Sequence, residues 1–157
     1  MGAGLIDPGV LSPEMKQLLE LYNTGMDAMN RGELGEAASI YRSIVRIWPN
    51  FVAGCVNLAG CLAHTGKAQE AIQLLRHAHS IAPQDPDIHL TAGLVYEALG
   101  DKQKEIEQYH QALEDEPNYV HAMNNLGIAY REIGCLNESK QWLEQAIQAV
   151  EQQESLM

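Results

Sequence analysis

Apolar residues in this chain fall into amphipathic runs that are separated by glycine or proline, and the runs repeat with one period. One large apolar position recurs every 34 residues, as Tyr41, Leu75, Tyr109 and Leu143. Three residues later a second, mostly small position recurs with it, as Ile44, Ala78, Ala112 and Ala146. A fixed period of this length is typical of a solenoid built from one repeated supersecondary unit.

Glycine and proline follow the same period and predict where the helices end. The glycines fall between two amphipathic runs, where a left-handed residue suits a helix end; they are Gly32, Gly66, Gly100 and Gly134. The prolines close the second run, since proline cannot continue a helix; they are Pro49, Pro83 and Pro117. Each unit is therefore helix, tight turn, helix, turn, and four units predict eight helices of roughly 13 residues.

Small residues mark the expected contacts between the two helices of a unit. The first helix carries them at Gly25, Ala59, Gly93 and Gly127. Their counterparts on the second helix are Ala37, Ala71, Glu105 and Ser139. We expect neighbouring helices to approach closely at these points, with the large residues at Tyr41 and its equivalents filling the space between them.

The period, the early small residue, the later aromatic or leucine and the closing proline together resemble the tetratricopeptide repeat family. The resemblance implies an all-α, right-handed superhelical solenoid with the first helices on its concave face. With each proline at the 32nd position, it gives an irregular lead-in and four repeats, the last with an extended helix; they span 1–17, 18–51, 52–85, 86–119 and 120–157. The sequence departs from the family at Glu105, which replaces alanine, and at Glu151, which replaces the fourth proline.

The C-terminal repeat raises a question of its own. The resemblance implies that such an array normally ends with a polar-faced helix covering the last repeat, and only residues 154–157 follow the fourth repeat here. Three explanations stay open: a longer parent protein, self-association through the uncapped repeat, or a partner that docks at this end.

Composition and charge narrow the class of partner. The chain has 157 residues, 46% of them hydrophobic, and a formal net charge of −11. This balance argues against nucleic acid, which needs clustered Lys and Arg, and against an anionic membrane surface. Three cysteines without paired spacing, Cys55, Cys61 and Cys135, predict reduced thiols in a cytoplasmic protein. No apolar stretch approaches the roughly 18 residues needed to span a bilayer.

No pattern in the sequence predicts catalysis. His77 and His79 lie two residues apart, on different faces of a helix, and the other histidines have no metal-ligand spacing. No phosphate loop, nucleophile elbow or dinucleotide fingerprint occurs. We therefore expect a non-enzyme with no catalytic residue, metal or cofactor.

The candidate site is a peptide groove along the first helices. Helical spacing turns the second, fifth, sixth, ninth and twelfth positions of each repeat inward. The predicted groove residues are Tyr22, Asn23, Met26, Met29, Val56, Asn57, Leu90, Thr91, Leu94, Asn124, Asn125, Ile128 and Arg131. The first half of this groove is apolar, with methionines that can adapt to varied side chains, and the second half is polar.

One groove position carries asparagine in three repeats, at Asn23, Asn57 and Asn125, with Thr91 in the remaining one. An asparagine can both donate to and accept from an extended peptide backbone. The series resembles the asparagine ladder in the tetratricopeptide region of protein O-linked N-acetylglucosamine transferases. The alternative is that these side chains only brace neighbouring helices.

Three functions are weighed from this sequence. The leading hypothesis is an adaptor or scaffold that binds a peptide segment of another protein. The second is a small acidic cytosolic chaperone that resembles those of type III secretion. The third is the substrate-recognition fragment of a larger enzyme, such as a protein glycosyltransferase. The family's clamp for acidic chaperone tails is not expected, because Tyr22 and Met26 stand where its first lysine and asparagine belong.

Overall fold

The computed structural model of the protein describes residues 11–157, which form eight helices joined by short turns. The helices are α1 Pro13–Asn30, α2 Leu34–Ile47, α3 Val52–Ala63, α4 Ala68–Ile81, α5 Pro86–Leu99, α6 Lys102–Asp115, α7 Val120–Glu132 and α8 Leu136–Ser155. The predicted all-α architecture of paired helices is confirmed. Within these residues, no helix is both long enough and apolar enough to cross a membrane.

The predicted glycines end the first helix of every pair. Gly32, Gly66, Gly100 and Gly134 have φ angles of 76°, 77°, 74° and 81°. The residue after each glycine donates its backbone N–H to the carbonyl five residues earlier, as from Glu33 to Ala28 at 2.9 Å and from Cys135 to Tyr130 at 2.9 Å. This bond is the longer one of the Schellman motif, which needs a left-handed residue that glycine adopts without strain.

Close approach at the small positions is also confirmed. A Cβ added to Gly25 would lie 2.8 Å from Tyr41 Cζ, and one added to Gly127 would lie 2.6 Å from Leu143 Cδ2. The Tyr41 and Tyr109 side chains are fully buried. In the first, third and fourth repeats, the large residue of the second helix therefore fills the space that the missing side chain leaves on the first.

Consecutive helices pack on one another, and α3 also packs directly against α5. A contiguous buried cluster runs from Ala28 to Val95 through the first three repeats. A smaller cluster forms around Met123 where α7 meets α8. Each repeat thus buries its apolar face against its neighbours, as a solenoid requires.

Glu105 is the charged residue that the repeat pattern places in this interior. It is 3% exposed, and Lys102 Nζ lies 2.6 Å from its carboxylate. Lys102 also contacts Glu132 of α7. Burial raises the pKa of Glu105, and Lys102 opposes that effect only in part. The alanine-to-glutamate departure is thus accommodated by an ion pair that reaches the next repeat.

The start of the first helix differs from the expected lead-in. We predicted irregular structure over residues 1–17, but α1 begins at Pro13. The Ser12 side chain accepts a hydrogen bond from the Met15 N–H at 3.2 Å, and proline occupies the first helical position, where its missing N–H costs nothing. Residues 1–10 of the predicted lead-in lie outside the described residues.

Candidate functional site

An apolar cavity of about 410 Å³ opens where the first turns of α1 meet the start of α3. Met15 and Leu19 of α1 are 48% and 50% exposed at this cavity. The complete lining is Leu11, Met15, Leu18, Leu19, Tyr22, Phe51 and Ala53. We call this the first-end cavity. Tyr22 of the predicted groove is one of these lining residues. The cavity extends the apolar half of the predicted groove towards the first turn of α1.

Tyr22 forms a fixed wall of the first-end cavity. Its ring packs edge-to-face on Tyr41 and Phe51, with centroid distances of 6.0 and 5.7 Å. The Asn57 amide of α3 donates to the Tyr22 hydroxyl at 3.2 Å. Because both ends of the side chain are held, its aromatic face is preorganised for an apolar ligand group.

Asn57 links three helices through contacts with two tyrosines. Its amide nitrogen also lies 3.8 Å from Met26 Sδ of α1. Burial raises the pKa of Tyr41 to about 12, and the approach of Asn57 acts in the opposite direction. The Tyr41 hydroxyl is nevertheless without a well-aligned hydrogen-bond partner. At this position the bracing role and a groove role are compatible, since Asn57 contacts α1 and is only half-buried.

Asn125 repeats the relation two repeats further along the chain. Burial raises the pKa of Tyr109 in α6, and the approach of Asn125 acts in the opposite direction. The equivalent position between them is Thr91, and the large residue of the preceding helix there is Leu75, which has no hydroxyl. Asparagine therefore occurs where the preceding repeat buries a tyrosine. This pairing supports the bracing alternative for Asn57 and Asn125.

The remaining predicted groove residues divide between core and surface. Val56 and Thr91 are each 7% exposed and lie in the core, because α3 packs on α5 there. They offer a ligand little surface, contrary to the prediction from helical spacing. Met29, Leu90 and Leu94 are half-buried, and the exposed set is Asn23, Asn124, Ile128 and Arg131.

At the other end, Asn124 lines a separate hollow of about 230 Å³ between α7 and α8. Ile147 and Val150 of α8 form its apolar wall and are exposed. Their equivalents in the first repeat, Val45 and Trp48, pack against the buried cluster. The same periodic positions therefore face a neighbouring helix in one repeat and form an accessible apolar face in the fourth.

Sequence reasoning missed Leu11 and Met15 of the first-end cavity, because the repeat frame was set to begin at residue 18, and it missed Phe51, which lies in the turn just before α3. A local signal was present. Ser12 followed by Pro13 is a helix start, and Leu11, Met15 and Tyr22 have the spacing of one helical face.

Burial shifts the pKa of two cysteines and one histidine that do not line these cavities. Across residues 11–157, no three His, Cys, Asp or Glu side chains meet so as to hold a metal ion. Cys55 and Cys61 are buried, and burial raises the pKa of both thiols, which makes them weaker nucleophiles. His110 lies 3.0 Å from the Tyr130 hydroxyl, and burial lowers its pKa.

Solved structures of several proteins share this fold. TTC0263 of Thermus thermophilus has a TM-score of 0.75 at 24% identity, over 82% of this chain and 72% of that one. MamA from Desulfovibrio magneticus has a TM-score of 0.69 at 18% identity, over 87% of this chain and 77% of that one. The first tetratricopeptide repeat domain of Spaghetti (RPAP3), bound to the HSP90 peptide SRMEEVD, has a TM-score of 0.65 at 21% identity, over 76% of this chain and 94% of that one.

Comparison of the sequence with curated proteins finds no match. Family models of the tetratricopeptide repeat match residues 28–94, 86–119 and 120–152. These matches cover the paired helices from the end of α1 to α8 without a gap, and the structures named above share the same solenoid. The protein belongs to the tetratricopeptide repeat family.

Proposed function

We propose that the protein is a non-catalytic interaction module that holds a peptide segment of a partner protein along α1, α3, α5 and α7. The observation that carries this proposal is the first-end cavity, where Met15 and Leu19 are exposed beside the fixed Tyr22 ring. Its volume of about 410 Å³ falls in the range of about 300–1,000 Å³ that is usual for ligand pockets.

The chemistry along these helices changes from apolar to polar. The first-end cavity takes apolar side chains of the peptide. Leu90 and Leu94 continue a half-buried apolar strip on α5, and Asn124 and Arg131 offer exposed polar groups on α7. A peptide with an apolar end and a polar end, which carries acceptors for Arg131, is complementary to this gradient.

The RPAP3 domain, in complex with its HSP90 peptide, is a precedent for a peptide held by the same fold. The likeness at 21% identity extends to the fold, and the ligand proposed here is different. Tyr22 and Met26 supply apolar surface where an acidic tail would need basic and amide groups. The net charge of −11 likewise disfavours a strongly acidic peptide.

The test is selection of a random peptide library on the immobilised protein, followed by affinity measurements with two matched variants. Leu19→Asp places a charge in the first-end cavity. Leu136→Asp makes the same change at an exposed leucine at the start of α8. Both side chains are exposed, so we expect both variants to fold, which circular dichroism checks.

The peptides selected on the wild type should include a group that binds Leu19→Asp roughly ten- to a hundred-fold more weakly, since burying a leucine contributes about 1.5–3 kcal/mol. The affinity of this group for Leu136→Asp should stay within about twofold of the wild type, because that site lies outside the cavity. A selection in which no peptide is weakened by Leu19→Asp, or in which both variants weaken every peptide equally, would contradict the proposed groove.

A further inference from the structure

A second cavity, of about 270 Å³, lies between α4, α5 and α6. Leu75, Ile88 and Ala92 are part of its apolar lining, and His79, His89 and Tyr96 stand around them. Ile88, Ala92 and Tyr96 are spaced four apart and share one face of α5, whereas Leu90 and Leu94 are turned to the opposite face. A peptide in the proposed groove therefore leaves this cavity free.

The cavity exists because two positions depart from the repeat. The equivalents of Ala92 in the second and fourth repeats are Leu58 and Leu126, both almost completely buried. The equivalents of Gln108 are Leu74 and Trp142. Trp142 packs its ring on His110 at 5.5 Å in the junction between α6 and α8. The second and fourth repeats thus carry large apolar side chains at both positions. The third repeat carries the smaller Ala92 and the polar Gln108.

Polar groups hold the walls of this cavity in place. His89 Nδ1 lies 3.1 Å from Gln108 Oε1, and His89 Nε2 lies 3.5 Å from the Asp115 carboxylate. The His79 ring packs edge-to-face on His89 at 5.4 Å. Because Gln108 meets Nδ1 and the His79 ring packs on it, the His89 ring is held at one wall and a ligand meets mainly its face.

The rim of the cavity carries uncompensated positive charge. Arg76 is exposed at the rim, one turn before His79 on α4. Among residues 11–157 no carboxylate lies within ion-pair distance of it. Arg76 also lines an adjoining hollow with Lys104, whose ammonium is 3.7 Å from Asp101. Asp101 also lines this hollow, but an acidic group at the rim would meet an arginine that has no carboxylate within ion-pair distance.

We propose that this cavity receives one large apolar side chain from a short segment of a partner protein, which also places a carboxylate against Arg76. An enclosed cavity of about 150 Å³ already accommodates benzene, whereas drug-sized ligands occupy about 300–1,000 Å³. A volume of about 270 Å³ in an open site therefore suits one phenylalanine, leucine or tryptophan side chain. The surface acts separately from the proposed groove.

The test is selection from a random dodecapeptide library on the immobilised wild type, with an excess of soluble Ala92→Leu as competitor. Ala92→Leu fills the cavity with the residue that the second and fourth repeats carry, so we expect it to fold. If thermal unfolding shows that it does not, Gln108→Leu replaces it, with leucine as at position 74. The competitor removes peptides that bind elsewhere, including the groove.

Enriched peptides should carry a large apolar residue with Asp or Glu within about one helical turn. By fluorescence polarisation they should bind Ala92→Leu at least about tenfold more weakly than wild type. Arg76→Gln should weaken them several-fold, and Arg46→Gln, the same change at an exposed arginine of α2, should not. Leu19→Asp should leave them unchanged, which separates this site from the groove.

Three results would overturn the proposal. The first is that no peptide survives the competitor, and the second is that the surviving peptides bind Ala92→Leu as tightly as wild type. The third is that the surviving peptides lack acidic residues and bind Arg76→Gln as tightly as wild type.

Discussion

At the scale of single residues, the contact between paired helices depends on a glycine that faces a large side chain. Gly93 shows this most clearly, because an added Cβ there would overlap the Tyr109 ring. Tyr109 is almost completely buried. The size of one side chain thus decides how closely α5 and α6 pack.

Gly93→Ala should therefore lower the free energy of unfolding by about 1–3 kcal/mol, the usual cost of overpacking a core. Gly60→Ala is the matched control, because its added Cβ would lie 3.9 Å from Thr91 Cγ2, an ordinary contact. Removing a helical glycine there should leave stability unchanged or raise it by up to about 1 kcal/mol. Urea denaturation measures both, and similar values for the two variants would refute the packing argument.

Glu105 makes the stability of the protein depend on pH. Burial raises its pKa above the ordinary value of 4.5, with Lys102 acting against burial. Between 4.5 and the raised value, the folded protein binds more protons than the unfolded chain, so this group lowers stability as pH rises.

Glu105→Ala, which restores the alanine of the first two repeats, should consequently gain stability relative to wild type as pH increases from about 4.5 to 7. Glu105→Gln cannot ionise either and should show the same trend. Thermal unfolding across this pH range measures the difference, and a difference that stays constant would show that the carboxylate does not titrate abnormally.

The residues that could be predicted from the sequence are those whose role is set by backbone geometry or by a side-chain size that recurs in each repeat. Gly32 and its equivalents belong to this class, since a left-handed turn selects glycine whatever surrounds it. Val56 and Thr91 do not, because helical spacing gives the face of a helix but not the neighbour that covers it. Their burial follows from the packing of α3 on α5, which is a property of the stack.

At the scale of helices, the ends determine which side chains reach the first-end cavity. The N-cap of α1 at Ser12 fixes the turn that carries Met15, through its bond to the Met15 N–H. The repeat frame could not predict this, because local capping signals set where a helix begins.

Ser12→Ala should loosen the first turn of α1, with a local loss of about 1 kcal/mol. Amide hydrogen exchange at Met15 and Lys16 should become faster, and peptides that use the first-end cavity should bind more weakly. Asp101→Ala, which removes the equivalent cap of α6, should change exchange near Lys104 and leave the cavity peptides unaffected. Unchanged exchange at Met15 would show that the cap does not hold this turn.

At the scale of the whole molecule, contacts between successive repeats hold the helices together. Asn57 joins α3 to Tyr22 of α1, and Lys102 joins α6 to Glu132 of α7. The sequence period alone predicted the number and order of helices, because each repeat forms the same pair of helices and packs on its neighbours in the same way. The cavities could not be predicted in this way, since the first-end cavity is lined by the first turns of α1 and the second arises where Ala92 and Gln108 depart from the shared pattern.

The most direct test of the central claim is chemical-shift mapping on the ¹⁵N-labelled protein, titrated with a peptide selected on the wild type without a competitor. The largest changes should fall on residues 15–22 of α1 and 51–57 around the start of α3, and smaller ones should continue along α5 and α7. This result would place the peptide in the proposed groove, with its apolar part in the first-end cavity. Changes confined to α2, α4, α6 and α8 would contradict it.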